Sequence, residues 1–257
     1  MSYTGQQKNT IKDLLFKMAD DQLILGHRNS EWTGIGPFIE EDIAFSSIAQ
    51  DKIGQSLALY NILHEQLGEA DPDTLGFARS EKEFKCCHLV EYPIGEYEFS
   101  LMRNFLFAHA DYLRFEMLAD SSFEPLAKVA KKFRGEIKYH VMHSDNWIKK
   151  LGTANDESHS RMQSALNETF NLALGIFEPS EFENELIEMK IFAGEESLKS
   201  KWLETIKPIL EEASLKLSDE KDWKPSFGGR KGSHTEYLQP LLNEMGEVFR
   251  IDAKAEW

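Results

Sequence analysis

The sequence predicts an all-α fold, a bundle of long helices with additional helices at its C-terminal end. Three observations carry this. Apolar residues recur at three- and four-residue spacing along most of the 257 residues, the period of one helix face. No alternating apolar-polar run competes with that pattern. And two segments, Gln50-Asp51-Lys52-Ile53-Gly54-Gln55 and Gly135-Glu136-Ile137-Lys138-Tyr139-His140, carry i, i+3 pairs within apolar stripes, so that both members of each pair point at a bundle axis.

In order, Ile11, Leu14, Leu15, Met18, Gln22 and Leu25 predict a first helix over about 10–27. A loop rich in Gly, Pro and Trp, 32–37, leads into a second helix from Phe38 to Leu67. Its inward stripe is Ile48, Lys52, Gln55, Leu59, Ile62 and Leu63. Residues 68–76, with Asp71-Pro72-Asp73, predict a turn, and 77–96 a less regular stretch. A third helix spans about 97–119, with Phe99, Met102, Leu106 and Leu113 inward. Ser121 and Glu124 have the spacing of a capping box at the start of a fourth helix, about 122–151, whose stripe is Phe133, Ile137, His140, Ser144 and Trp147. A fifth helix covers about 157–177. Ser180 and Glu183 predict a cap on a short helix, residues 195–217 a helix with a kink at Pro208, and Ser233 with Glu236 a cap on a last helix over about 234–250. Residues 1–178 are thus expected to form the bundle and 179–257 to pack on the same domain.

The balance of 29 Lys+Arg against 44 Asp+Glu, net −15, argues against nucleic acid or an anionic membrane as partner. No stretch approaches the ~20 apolar residues of a membrane span, and the first residues lack the apolar core of a signal peptide. The two cysteines, Cys86 and Cys87, are neighbours, so they supply no disulfide framework. The chain reads as cytoplasmic.

The i, i+3 frame of a carboxylate-bridged di-iron bundle holds Glu and His on each of two helices. Here it reads Lys52/Gln55 and Ile137/His140. A protonated Lys has three donors and no acceptor, and Ile offers no ligand atom. The frame is that of a degenerate metal site in a helical bundle. Asp20, Asp21, Asp111 and Glu136 are the candidate carboxylates to pair with a buried Lys52; a surface Lys on a rotated helix and a catalytic Lys of depressed pKa are the alternatives. His140, His143 and Glu136 could in isolation bind zinc, although a hydrogen-bonded core His is the commoner case. Glu40-Glu41-Asp42 suits the first turn of a helix. The basic loop Gly228-Gly229-Arg230-Lys231-Gly232 could meet a partner or a CoA phosphate through Arg230 and Lys231. No phosphate-binding loop, dinucleotide fingerprint or nucleophile elbow occurs.

Several blocks carry a family resemblance: residues 19–32 (ADDQLILGHRNSEW), Glu40-Glu41-Asp42-Ile43-Ala44, 49–55 (AQDKIGQ), Phe105-Leu106-Phe107, Glu136 with Tyr139-His140, His143-Ser144-Asp145 with Trp147, 228–235 (GGRKGSHT) and Trp257. Together they resemble the structural C subunits of phenylacetyl-CoA epoxidases. The resemblance implies a ferritin-like scaffold that docks a similar catalytic subunit. That paralogue carries the iron on Glu and His where this chain has Lys52 and Gln55, and on Glu and His where it has Ile137 and His140. It implies no catalytic residue, metal or other cofactor in this chain, a di-iron centre in the partner, a reductase among the other subunits, and a complex that epoxidises the ring of phenylacetyl-CoA with molecular oxygen. Two alternatives stay open. One is an independent metalloenzyme with a non-standard site around Glu41, Asp111, Glu136 and His140. The other is a free-standing acyl-CoA-binding module. Homo-oligomerisation of the isolated chain is a further expectation. So is docking through residues 226–257, with Trp223, Phe227 and Trp257 as anchors.

Overall fold

A computed structural model describes residues 3–253. Four long helices form the bundle: α1 (Gly5–Ser30), α2 (Ile39–Leu67), α5 (Tyr97–Leu118) and α6 (Glu124–Ala154). Between the second and third of these, the chain crosses over through the short helices α3 (Pro72–Phe77) and α4 (His88–Glu91). After the bundle come α7 (Asp156–Leu174), α8 (Glu183–Glu188), α9 (Glu195–Glu212), α10 (Leu238–Met245) and α11 (Glu247–Ile251). Among the described residues no strand forms. The architecture is the all-α bundle with additional C-terminal helices that the periodicity predicts, and it is consistent with the ferritin-like bundle that the resemblance implies.

Helices α1 and α2 pack along their lengths. Gly26 makes this approach close, since a Cβ there would stand 2.9 Å from Ile53 Cγ1 and 3.3 Å from Ala49 O. Helix α5 pairs with α6, and α6 also lies beside α2. Helix α1 faces α5 through reciprocal amide bonds, Asn29 Nδ2 to Asn104 Oδ1 at 3.0 Å and the reverse at 3.1 Å. Helices α7 and α9 cover the far side of α5 and α6. There Trp202, fully buried, stacks on Phe170 and donates its indole N–H to Leu106 O at 2.9 Å.

The caps depart from expectation. Helix α1 starts earlier than its apolar stripe because Thr4 and Gln7 form a capping box. Ser121 does not cap α6: its hydroxyl accepts from Phe123 N, Glu124 pairs with Lys128, and Pro125 opens the helix instead. Ser180 likewise accepts from Phe182 N, while the Glu183 carboxylate accepts from Glu195 N. Ser233 and Glu236 form no box either, because the last helix begins only at Leu238 and is divided at Gly246. The expected turn at 68–76 contains α3, capped by Asp71 accepting from Thr74 N and with Pro72 in its first turn. Helix α9 ends at Glu212, short of 217, and runs through the exposed Pro208.

Candidate functional site

One residue from α1, two from α2, one from α5 and two from α6 converge on the bundle axis: Gln22, Lys52, Gln55, Asp111, Ile137 and His140. All six are buried. The i, i+3 spacing of each pair keeps both side chains on the axis-facing stripe. Lys52 Nζ lies 2.7 Å from Asp111 Oδ2, and the Gln22 amide donates to Asp111 Oδ1 at 2.7 Å. The ammonium also sits 4.8 Å from the centroid of the Phe107 ring, one turn before Asp111. Lys52 is 1% and Asp111 4% exposed. At such burial each ion costs several kcal/mol to desolvate, an expense offset only by close pairing and further hydrogen bonds.

Of the carboxylates that could have paired with Lys52, Asp111 does so and the others are engaged elsewhere. Asp20 binds Arg79 and accepts from the Tyr60 hydroxyl at 2.6 Å. Asp21 receives Arg230. Glu136 accepts from the Gln55 amide at 3.3 Å, and burial pushes its carboxyl above the ordinary range. His140 Nε2 lies 2.9 Å from Asp51 Oδ2. Burial lowers the His140 pKa and the nearby Lys52 charge adds to this, outweighing Asp51.

Glu41 belongs to a separate cluster at the start of α2. Its carboxylate accepts from Tyr97 OH at 2.6 Å and Trp147 Nε1 at 2.7 Å, and meets His143 Nε2 at 3.0 Å. Burial alone would raise its pKa, but these bonds prevail and leave it lowered.

These pairings correct the independent-metalloenzyme reading. Glu41, Asp111, Glu136 and His140 each answer to a different partner, and so do the zinc candidates Glu136, His140 and His143. A di-iron centre does not fit the axis either. Its central position is filled by an ammonium, which has no lone pair to give. Ile137 offers no donor, and the Gln22 and Gln55 amides are neutral where the centre needs carboxylate charge.

Among the described residues, the group of His, Cys, Asp and Glu close enough to share a cation is Cys86, Glu91 and His234. Sequence spacing held no hint of it, since it joins the crossover to the C-terminal loop. Its geometry is that of an ion pair. His234 Nδ1 lies 2.8 Å from Glu91 Oε1, its Nε2 lies 3.0 Å from Phe84 O, and Thr235 binds the other Glu91 oxygen twice at 2.7 Å. Burial and the neighbouring Glu91 push the Cys86 thiol well up.

Arg230 is a further correction. It is not a surface contact for a CoA phosphate. It is 5% exposed, holds Asp21 through its two terminal guanidinium nitrogens at 2.8 and 2.7 Å, and donates to the carbonyls of Lys17, Lys85 and Ile176. Lys231 is exposed and lies 3.5 Å from Glu178. Trp223 packs edge-on against Phe170, so it too is part of the fold, whereas Phe227 is exposed. Trp257 lies outside the described residues.

With this geometry in view, the comparisons with known proteins are specific. A family model described as "Phenylacetic acid catabolic protein" matches residues 2–257. The chain is 31% identical to the C subunit of the 1,2-phenylacetyl-CoA epoxidase of Escherichia coli (strain K12) over 249 residues, which is 97% of this chain and all of that protein.

Proposed function

The chain belongs to the family of phenylacetic acid catabolic proteins, and from that premise we propose that it is the structural subunit of a ring-epoxidising phenylacetyl-CoA oxygenase. In this reading it performs no chemistry alone and docks a separate catalytic subunit that holds the iron. A reductase feeds that subunit with electrons. The observation that carries the proposal is the Lys52–Asp111 pair at 2.7 Å. It sets a protein cation where a di-iron bundle needs metal, so the bundle retains charge balance and shape without a redox centre. The alternatives draw less support: the metalloenzyme's ligands are not brought together, and the acyl-CoA module keeps only Lys231 of its two basic contacts because Arg230 is buried. Among the described residues no helix is long and apolar enough to cross a membrane. In this reading the complex, which works on a CoA thioester, acts in the cytoplasm.

The test has two arms. The purified chain is treated with ferrous iron without oxygen, then exposed to air and analysed for metal. No stoichiometric iron and no di-iron absorption are expected; about two irons per chain would refute the structural reading. The chain is also co-expressed with an iron-holding family member from the same source. Epoxidation of phenylacetyl-CoA should require both chains, and turnover by this chain by itself would overturn the proposal.

A further inference from the structure

The outer face of α2 carries a second, largely apolar seam, which touches the bundle at Ile53, beside Gly26 of α1. Ile39, Ile43, Ser46, Gln50, Ile53 and Leu57 follow one another at intervals of four, three, four, three and four residues. That spacing seats one helix along another. The seam points to solvent: Ile39 is 69%, Ile43 60% and Leu57 48% exposed. Beside it on α6, Tyr139 and Met142 are exposed as well, 44% and 53%. Six large apolar side chains on two adjoining helices exceed the scattered single exposures of an ordinary surface.

Two glycines lie in the same face. Gly54 in α2 and Gly135 in α6 are exposed, mid-helix, and a Cβ on either would meet nothing within 4 Å. Each immediately precedes a member of the Gln55–Glu136 bridge, so both border the junction of the two helices. A glycine within a helix costs about 1 kcal/mol relative to alanine. Among the described residues nothing requires that cost, in contrast to Gly26, which a neighbouring helix presses upon. Glycine on an outer helix face permits the backbone of another helix to come close.

The charge of this face says what covers it. Within a chain of net −15, α6 holds seven Lys and Arg against three Asp and Glu. Lys131, Lys132 and Lys138 are exposed around Gly135 and Tyr139. Along the 39–57 seam the charged residues on α2 are Glu40, Glu41, Asp42, Asp51 and Lys52. Asp51 and Lys52 are paired within the chain, Glu41 is buried against His143, and Asp42 accepts from Gly34 N. Glu40 is exposed at the end of the seam, away from Lys131, Lys132 and Lys138. The partner should therefore bring an apolar helix flanked by acidic residues. A second copy fits less well, since a two-fold interface would set this basic rim against its own image.

We propose that the α2–α6 face, centred on Gly54 and Gly135, is where the catalytic subunit docks, through an acid-flanked helix laid along the 39–57 seam. The proposal rests on the reading of the chain as a structural subunit and gives that reading a surface.

The experiment uses the full chain co-expressed with the iron-holding family member. Gly54→Leu and Gly135→Leu should each raise or preserve the thermal midpoint of the isolated chain, because leucine is a better helix former. The same variants should weaken assembly by at least ~30-fold, the scale of a hot-spot loss. A merely structural role would move stability and assembly in the same direction. Lys131→Glu with Lys138→Glu should slow association at low salt and converge on wild type at high salt. Wild-type assembly by all of these variants would overturn the proposal. So would a wild-type chain that is a stable dimer alone and becomes monomeric in the glycine variants, since the face would then belong to a second copy. A wild-type chain that never assembles with the iron-holding member would refute the underlying functional reading, a result distinguishable from failure of the variants alone.

Discussion

Lys52 shows how one residue can hold a fold while removing a chemistry. Its ammonium pairs with Asp111, which also accepts from the Gln22 amide, and it lies over the Phe107 ring. Lys52→Met should cost roughly 3–5 kcal/mol, since Asp111 is left charged and buried without its partner. Chemical denaturation measures this, and an unchanged midpoint would show that the pair is not buried. Lys52→Met combined with Asp111→Leu should recover much of the loss, because an apolar pair of similar volume carries no desolvation cost. The His234–Glu91 pair makes a pH prediction. Burial would lower the His234 pKa, but Glu91 and the Phe84 carbonyl prevail and raise it above 6.5. Burial would raise Glu91, but His234 and Thr235 leave it below 4.5. A raised histidine contributes stability that is complete below its unfolded value and is lost as pH climbs through the folded one. A lowered glutamate contributes stability present above its unfolded value and lost as pH falls through the folded one. The pair should therefore be worth most between about pH 4.5 and 6.5. Subtracting the stability-against-pH curve of His234→Ala from that of wild type should show this maximum. His140, whose pKa is lowered, contributes with the opposite slope, and the subtraction removes it.

At the scale of the element, helix existence followed from periodicity and helix ends did not. Ser121, Ser180 and Ser233 all stand three residues before a Glu, yet none forms the reciprocal cap. For the first two, Ser121 and Ser180 accept locally from the amide two residues on, and Glu183 finds the N-terminus of α9 in the tertiary structure. The glycines separate in the same way. Gly26→Ala should destabilise the chain by about 1–3 kcal/mol, the cost of overpacking, because its Cβ would meet Ile53, Ala49 and Lys52. Thermal unfolding of Gly26→Ala beside Gly54→Ala should give shifts of opposite sign.

For the molecule as a whole, the described part of the segment after residue 225 reaches into the core. Arg230 reaches the buried Asp21, His234 the buried Glu91, and a Cβ on Gly229 would stand 3.3 Å from Cys87 Cα. Deleting residues 226–257 breaks two buried ion pairs at ~3–5 kcal/mol each, comparable with the whole ~5–15 kcal/mol stability of a domain. The truncated chain should therefore lose its cooperative unfolding transition by circular dichroism. A well-folded truncation would place these contacts outside the core. This is the reason docking is assigned to α2 and α6 and not to the C-terminal aromatics.

The fold class, the long helices and the stripe bearing Lys52, Gln55, Ile137 and His140 were legible in the sequence, because helical periodicity is local and any change of face would bury charge at every turn. So was the absence of ligand chemistry at Lys52 and Ile137, which depends on residue type alone. The tertiary structure decided the partners. Asp20, Asp21, Asp111 and Glu136 are equivalent candidates in sequence, and only the packing of α1, α5 and α6 gave Lys52 to Asp111. It joined His234 to Glu91 across 143 residues, and it turned the Ile39–Leu57 seam outward by filling the other face of α2. Pairings and exposed faces arise from contacts between elements distant in the chain, and the period of any one helix contains no record of its neighbours.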